Sequence, residues 1–307
     1  MSRSIGLVGT GIWGGRMLSI LRELGCRVHV ADVSPSAREG AAALGAASTC
    51  EAVEELPGVH GYVVATPAST HASVLRRLNE FAGPLTPILC EKPFTTSLAD
   101  AIELAALLGP RLFVDHTWRY HPGIVSLGNL ARSGQMGKVH GVRTTRVNWS
   151  SPRSDVDTIW NLVPHDITLA IEILGGIPVP RAAHSEILGG RSVGLWGFLG
   201  GDPWLVLESS NRFADKRREV RLHGERGVAV LPDIDSSCIE ITWNSPGSKP
   251  EAPERVPIQQ ANPLRLLLDD FVTRVRIGEG GPKSGAAEAV EVVRAVVALR
   301  ALAGLAD

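Results

Sequence analysis

The chain has 307 residues, 44% hydrophobic and 21% charged, enough for two domains and a sizeable core. Its formal net charge of −1 argues against a polyanion partner such as nucleic acid, and no apolar run reaches the length of a membrane span. Met1-Ser2-Arg3-Ser4 leads straight into an apolar run with no evident signal peptide. The four scattered cysteines, Cys26, Cys50, Cys90 and Cys238, show neither CxxC nor zinc spacing, so they read as free thiols of a cytoplasmic protein.

Taken in chain order, residues 4–9 predict an apolar strand and 12–24 a helix. Arg27-Val28-His29-Val30-Ala31-Asp32 predicts a second strand, after which Ser34-Pro35 caps and starts a helix. Val59–Ala65, rich in β-branched residues, is a third strand, followed by a helix over about 68–81. The run Pro87-Ile88-Leu89-Cys90 ends at Glu91 as a buried strand. Ser97 caps a helix to about Leu108, and Arg111–Asp115 is the next strand. Strands alternating with helices predict a doubly wound parallel sheet, a Rossmann dinucleotide-binding domain over residues 1–118.

From residue 119 the pattern changes. A helix is predicted over 122–132, then strand-like runs at 138–149, 181–188, 191–199, 203–211, 217–223, 226–231 and 237–243. A helix at about Pro164–Leu174, ended by Gly175-Gly176, interrupts them, and the Pro-rich stretch 244–257 reads as a surface excursion. Amphipathic helices over 263–277 and 286–303 close the chain. Successive strands without intervening helices predict an antiparallel sheet. The expected fold is therefore α/β: a Rossmann domain, then an α+β substrate-binding and oligomerisation domain over 119–307 with a large open antiparallel sheet.

Chemistry concentrates at the predicted strand ends. Gly9-Thr10-Gly11-Ile12-Trp13-Gly14 follows the first strand and opens a helix, as a pyrophosphate-binding turn requires. Asp32, 18 residues beyond Gly14, ends the second strand where an acid would bind the adenosine ribose hydroxyls. That acid favours NAD, since a 2′-phosphate would meet a like charge, although Arg38 could reach a phosphate and leaves NADP possible. Trp13 packs over the pyrophosphate loop or belongs to the core. Lys92, behind an apolar strand and flanked by Glu91 and Pro93, is placed for chemistry on a substrate carbonyl or hydroxyl.

Further along, His116, Trp118, Arg119 and Tyr120 lie just past the last Rossmann strand, and Arg119 and Tyr120 read as binding residues. His116 and His121, five apart, are not a helical metal pair, and no metal is expected. His165 shares a helix face with Leu169 and Ile173, which fits a packed core histidine as well as a general acid/base. Asn161 reads as a substrate ligand or as the helix N-cap, and Trp160 as pocket lining or core.

Together these residues resemble the Gfo/Idh/MocA family of oxidoreductases over nearly the whole chain. The specific matches are Ala65-Thr66-Pro67 with Thr70-His71, Cys90-Glu91-Lys92-Pro93, Arg119-Tyr120-x-Pro122, Trp160-Asn161-Leu162-Val163-Pro164-His165-Asp166-Ile167, and Asn262-Pro263-Leu264-Arg265. The resemblance implies that Thr66, Pro67, His71, Glu91 and Lys92 contact the cofactor and that the bond before Pro93 is cis. It implies that Lys92 and His165 are catalytic and flank the nicotinamide, with Asn161, Arg119, Tyr120, His116 and Trp160 toward substrate. Asn161 stands where most members carry an aspartate, which weakens the expectation of a full acid/base triad. The implied activity is NAD(P)-dependent interconversion of a secondary alcohol and a ketone on a sugar, cyclitol or nucleotide sugar, in a homodimer or homotetramer. A C=N or C=C reductase, an NAD-retaining glycosidase-like enzyme and a non-catalytic binding homologue are the alternatives.

Overall fold

A computed structural model of the chain describes residues 3–150, 155–244 and 252–305. Two units make up the chain, Met1–His116 with Leu264–Val293, and Thr117–Pro263 with Arg294–Asp307.

The first unit is built on β1 (Ser4–Val8), β2 (Arg27–Ala31), β3 (Ser48–Cys50), β4 (Gly61–Val64), β5 (Ile88–Cys90) and β6 (Leu112–Val114), in the order β3-β2-β1-β4-β5-β6. Every pair is parallel. β4, β5 and β6 are buried along their whole length, which explains their unbroken apolar runs. Four helices connect the strands: α1 (Ile12–Glu23), α2 (Pro35–Ala43), α3 (His71–Phe81) and α4 (Leu98–Leu108). The expected caps form, Ser34 accepting from the Ala37 amide and Ser97 from the Asp100 amide. Strand order reverses about β1, so the crevice outside the carboxyl ends of β1 and β4 is the topological switch point where ligands bind. β3 has no counterpart in the sequence reading: three short, partly exposed residues on the sheet edge carry too little periodicity.

The second unit holds an eight-stranded sheet in the order β14-β13-β12-β11-β7-β10-β9-β8. Its strands are β7 (Val139–Trp149), β8 (Pro180–Leu188), β9 (Arg191–Gly200), β10 (Trp204–Ser210), β11 (Arg212–Gly224), β12 (Gly227–Leu231), β13 (Cys238–Trp243) and β14 (Glu254–Pro257). The large antiparallel sheet is there as expected, with one parallel pair among its described strands, β7 and β10. Intervening residues, including the β8–β9 hairpin, give the chain length to return in the same direction; only direct hairpins must be antiparallel. β14 is an exposed edge strand at the end of the Pro-rich stretch, of which residues 245–251 lie outside the described residues.

Helices α5 (Pro122–Arg132) and α6 (Thr158–Leu174) pack on this sheet. The face toward α6 carries Val142, Val220, Leu222, Leu205 and Leu207, all buried, and the opposite face carries Arg143, Arg221, Glu208, Trp196 and Phe198. α6 begins six residues before Pro164. Asp157 is its cap, its carboxylate accepting from the Trp160 amide at 3.1 Å, so Asn161 is not the N-cap. Proline usually marks a helix start, but here it sits in the interior, where it leaves the Trp160 carbonyl without the amide that would normally bond it.

The chain closes with α7 (Pro263–Ile277) and α8 (Ala286–Leu302). The sequence reading groups α7 with the second domain, whereas it packs with the first unit. A Cβ on Gly61 of β4 would lie 2.7 Å from Val275 Cγ2 and 3.2 Å from Phe271 Cζ, so glycine makes room for the helix. Arg276 donates to the Leu24 carbonyl at 2.8 Å and Arg265 pairs with Glu23. α7 buries Leu264, Leu267, Leu268, Phe271, Val272 and Val275, and an amphipathic stripe shows that a partner exists without naming it.

Candidate active site

Three glycines shape the loop after β1. Gly9 has φ +89°, and a Cβ there would lie 2.8 Å from the Ala65 carbonyl oxygen. A Cβ on Gly14 would lie 2.1 Å from the Gly9 carbonyl oxygen, so the first turn of α1 rests directly on the loop. At Gly11, the residue before α1, a Cβ would meet nothing within 4 Å. The helix N-terminus therefore opens onto free space with its amides and positive dipole end, which fits a pyrophosphate. A cavity of about 590 Å³ adjoins it, lined in part by Thr10, Gly11, Ile12, Arg16 and Ser36.

Asp32 follows β2 and is fastened to that loop. Its Oδ2 accepts from the Thr10 amide at 2.7 Å and the Thr10 hydroxyl at 3.2 Å, and its Oδ1 accepts from the Ser34 amide at 2.9 Å. A carboxylate has about four acceptor positions, so capacity remains for a ribose hydroxyl. Arg38 donates to the Asp32 carbonyl at 2.7 Å and the Val33 carbonyl at 3.2 Å, and lies 3.6 Å from Glu51. Ile12 is 83% exposed and Trp13 41%, with the Arg16 guanidinium 4.8 Å from the Trp13 ring centre, so Trp13 is not core.

β4 and β5 deliver the next two segments side by side, Ala65-Thr66-Pro67 and Glu91-Lys92-Pro93, and the Lys92–Pro93 bond is cis. His71, at the start of α3 and 1% exposed, joins them: Nδ1 is 2.9 Å from the Pro93 carbonyl oxygen and Nε2 2.9 Å from that of Thr66. The ring thus braces two backbone segments. The Thr66 hydroxyl accepts from Thr70 at 2.9 Å. Lys92 is buried, and its amide donates to Glu91 Oε2 at 3.0 Å. Burial first, and the Asp115 charge second, hold the Glu91 carboxyl well above the usual carboxylate range, while Lys92 draws it partly back. His116, after Asp115, is buried as well.

In the second unit the candidates gather on α6 and the turn at Thr117–Tyr120. Between Thr158 and Ala170 only Asn161 and His165 are not buried, and their spacing of four puts them on one helix face. The Trp118 ring lies edge-on to His165 at 5.9 Å, stacks on His121 at 5.5 Å and carries the Arg146 guanidinium 4.5 Å from its centre. Arg146 is buried and pairs through Nε with Asp166 Oδ1 at 3.1 Å, and Ser209 donates to Asp166 Oδ2 at 2.8 Å. This network ties α6 to β7 and β10 next to His165. His121 caps α5, accepting from the Gly123 amide and facing the Ile234 carbonyl oxygen at 2.8 Å; burial holds its imidazole below the ordinary histidine range.

The remaining expected binding residues are largely engaged by the protein. Arg119 pairs with Glu172 at 3.3 Å, and Tyr120 is buried. Trp160 is also buried, with the Arg300 guanidinium 5.8 Å from its ring centre and Arg300 paired with Asp157. Among the described residues no group of three His, Cys, Asp or Glu side chains is placed to hold a metal ion. Asp115, Arg146, Glu172 and Ser209 went unsuspected in the sequence, and Asp166 drew notice only as the neighbour of His165. No local pattern pairs a helix carboxylate with an arginine twenty residues away on a strand.

Residues 3–111 match the model of an oxidoreductase family with an NAD-binding Rossmann fold, GFO_IDH_MocA. The inositol 2-dehydrogenase of Rhizobium meliloti (strain 1021) is 23% identical over 296 residues, 90% of this chain and 89% of the relative. The UDP-N-acetylglucosamine 3-dehydrogenase of Acidithiobacillus ferrooxidans is 26% identical over 262 residues, 80% of this chain and 81% of the relative. A levoglucosan dehydrogenase solved with NADH and levoglucosan shares the fold, with a TM-score of 0.86, 15% identity, and coverage of 99% of this chain and 98% of that one. Over residues 3–111, then, the chain is similar to the NAD-binding Rossmann domain of the Gfo/Idh/MocA oxidoreductases.

Proposed function

We propose that this oxidoreductase is an NAD-dependent dehydrogenase interconverting a secondary alcohol and a ketone on a sugar, cyclitol or nucleotide sugar. The observation that carries the reading is the glycine cradle at the switch point, with Lys92 buried two strands away at the end of β5. Bound NAD supplies the nicotinamide carbon that exchanges hydride with the substrate carbon. Gly9, Thr10, Gly11 and Gly14 hold the pyrophosphate, and Asp32 the adenosine ribose. A 2′-phosphate would meet the Asp32 charge, while Arg38 is turned onto the Asp32 and Val33 carbonyls; both favour NAD over NADP. Lys92 holds the reacting oxygen by hydrogen bond. His165 takes the hydroxyl proton in oxidation and returns it in reduction, and Asn161 hydrogen-bonds a neighbouring hydroxyl without accepting a proton. The cyclitol and nucleotide-sugar classes come from the relatives named inositol 2-dehydrogenase and UDP-N-acetylglucosamine 3-dehydrogenase.

The test is steady-state NADH production from a panel of polyols, cyclitols and nucleotide sugars, repeated with Lys92→Ala and His165→Ala. Each variant should lose turnover on the order of 10²–10⁴-fold, with a nearly unchanged melting temperature and cofactor still bound. Near-full turnover by the His165 variant would make that residue a packed histidine and refute its role.

A homo-oligomer is part of the same proposal. Trp196 and Phe198, 42% and 39% exposed, stand on the sheet face opposite α6 and would be covered by a second copy. Light scattering at micromolar concentration should give at least a dimer, and a monomer would count against it.

A further inference from the structure

The strand ends that present Lys92 also hold two buried carboxyl groups for which the proposed hydride transfer has no use. β5 and β6 run parallel in the register Ile88↔Leu112, Leu89↔Phe113 and Cys90↔Val114, and the Asp115 amide donates to the Cys90 carbonyl at 2.8 Å. Glu91 and Asp115 therefore leave neighbouring strands side by side. They are 8% and 2% exposed, and after burial itself the Asp115 charge helps hold the Glu91 carboxyl well above the usual carboxylate range. Two adjacent negative charges repel strongly at a buried site, and a proton shared between the carboxyls relieves that repulsion. Lys92 is next to the pair, its amide donating to Glu91 Oε2 at 3.0 Å.

Other titratable groups among the described residues stand on the same strand ends and on the segments packed against them. Cys90 has its thiol pushed up by burial and by the two carboxyls. His116 follows Asp115, and His71 reaches across from α3 to the Pro93 and Thr66 carbonyls. From the segment before α8, the Ser284 carbonyl binds the Val114 amide and the Ser284 hydroxyl binds Glu288.

We propose that Glu91 and Asp115 act as a proton-sharing pair that gives up its proton when oxidised nicotinamide is bound and regains one when the ring is reduced. The proposal rests on the reading that Lys92 lies beside the nicotinamide. A cationic ring next to the Lys92 ammonium sets two positive charges against the pair's single negative one, and ionisation of the second carboxyl restores the balance. In oxidation the alcohol loses its C–H hydrogen with both electrons to the ring and its O–H proton to the protein, giving ketone, NADH and one proton. His165 carries that proton, and the pair regains from solvent the one it released on binding. Asp115 is then a positioning residue, acting through Glu91 on Lys92.

The sign follows from linkage. The free pair binds a proton that the NAD⁺ complex does not, so rising pH tightens NAD⁺ binding, by up to about tenfold per pH unit for one proton, and leaves NADH binding flat. Titration calorimetry of the full chain, run in buffers of different protonation enthalpy, reads this directly. The wild type should release protons on binding NAD⁺ and none on binding NADH. Glu91→Gln and Asp115→Asn should each diminish the release, because either change removes the neighbouring charge that helps the remaining carboxyl keep its proton.

Infrared spectroscopy of the wild type alone should show the carbonyl stretch of an un-ionised carboxylic acid at neutral pH, fading as NAD⁺ is added. NAD⁺ binding without proton release, release undiminished in both variants, or no acid band in the free protein would each overturn the proposal. Failure to bind NAD⁺ at all would instead sink the dehydrogenase reading, and the acid band would still decide whether the carboxyls share a proton.

Discussion

The two units hold their candidate residues by different means. In the first, the backbone does it: Gly9 and Gly14 shape a loop in which a Cβ fits at neither position, and Asp32, Thr66, Glu91 and Lys92 stand at the ends of parallel strands whose register sets their spacing. In the second, buried side-chain charges do it. Arg146, Asp166 and Ser209 join β7, α6 and β10, and Arg119 meets Glu172. A backbone-held site is written in a few contiguous residues and tolerates change elsewhere. A charge-held site depends on partners far apart in sequence, each costly to leave alone.

This difference separates what could be read in the sequence from what could not. Gly9 and Gly14 were legible because a positive φ and a close approach admit no other residue, and Asp32 because strand length fixes its place after the loop. The parallel β7–β10 pair was not legible, since pairing across α6 and a hairpin leaves no local trace. Pro164 misplaced the start of α6, although Asp157, a good capping residue, stands seven positions before it. The burial of Tyr120 and Trp160 likewise depends on packing that their own neighbours in sequence do not specify.

The largest expected effect tests the charge-held unit. Asp166→Ala leaves the Arg146 guanidinium buried without its carboxylate and should cost about 3–5 kcal/mol in chemical denaturation. Replacing both partners, as Arg146→Met with Asp166→Leu, should recover much of that loss, because the desolvation cost of the charge is removed with it. A single-variant loss below about 1 kcal/mol would break the comparison: the pair would then be incidental, and α6 would be held by its apolar face alone.

A smaller effect sharpens the other side. Asp32 binds the Thr10 and Ser34 amides, and the proposed function gives its remaining acceptor capacity to the adenosine ribose. Because Gly9 and Gly14 shape the loop without it, Asp32→Ala should leave the parallel sheet folded. NAD affinity should fall by about 1–3 kcal/mol, the worth of hydrogen bonds to a charged group, which is roughly 5- to 150-fold in Kd. The lost negative charge should also bring NADP closer to NAD in affinity, since the 2′-phosphate no longer meets a carboxylate. Calorimetry with both cofactors measures the two shifts together. Unchanged NAD affinity with no movement toward NADP would mean that Asp32 serves only to fasten the loop. The end of β2 would then be a structural joint, and the backbone cradle alone would account for cofactor binding.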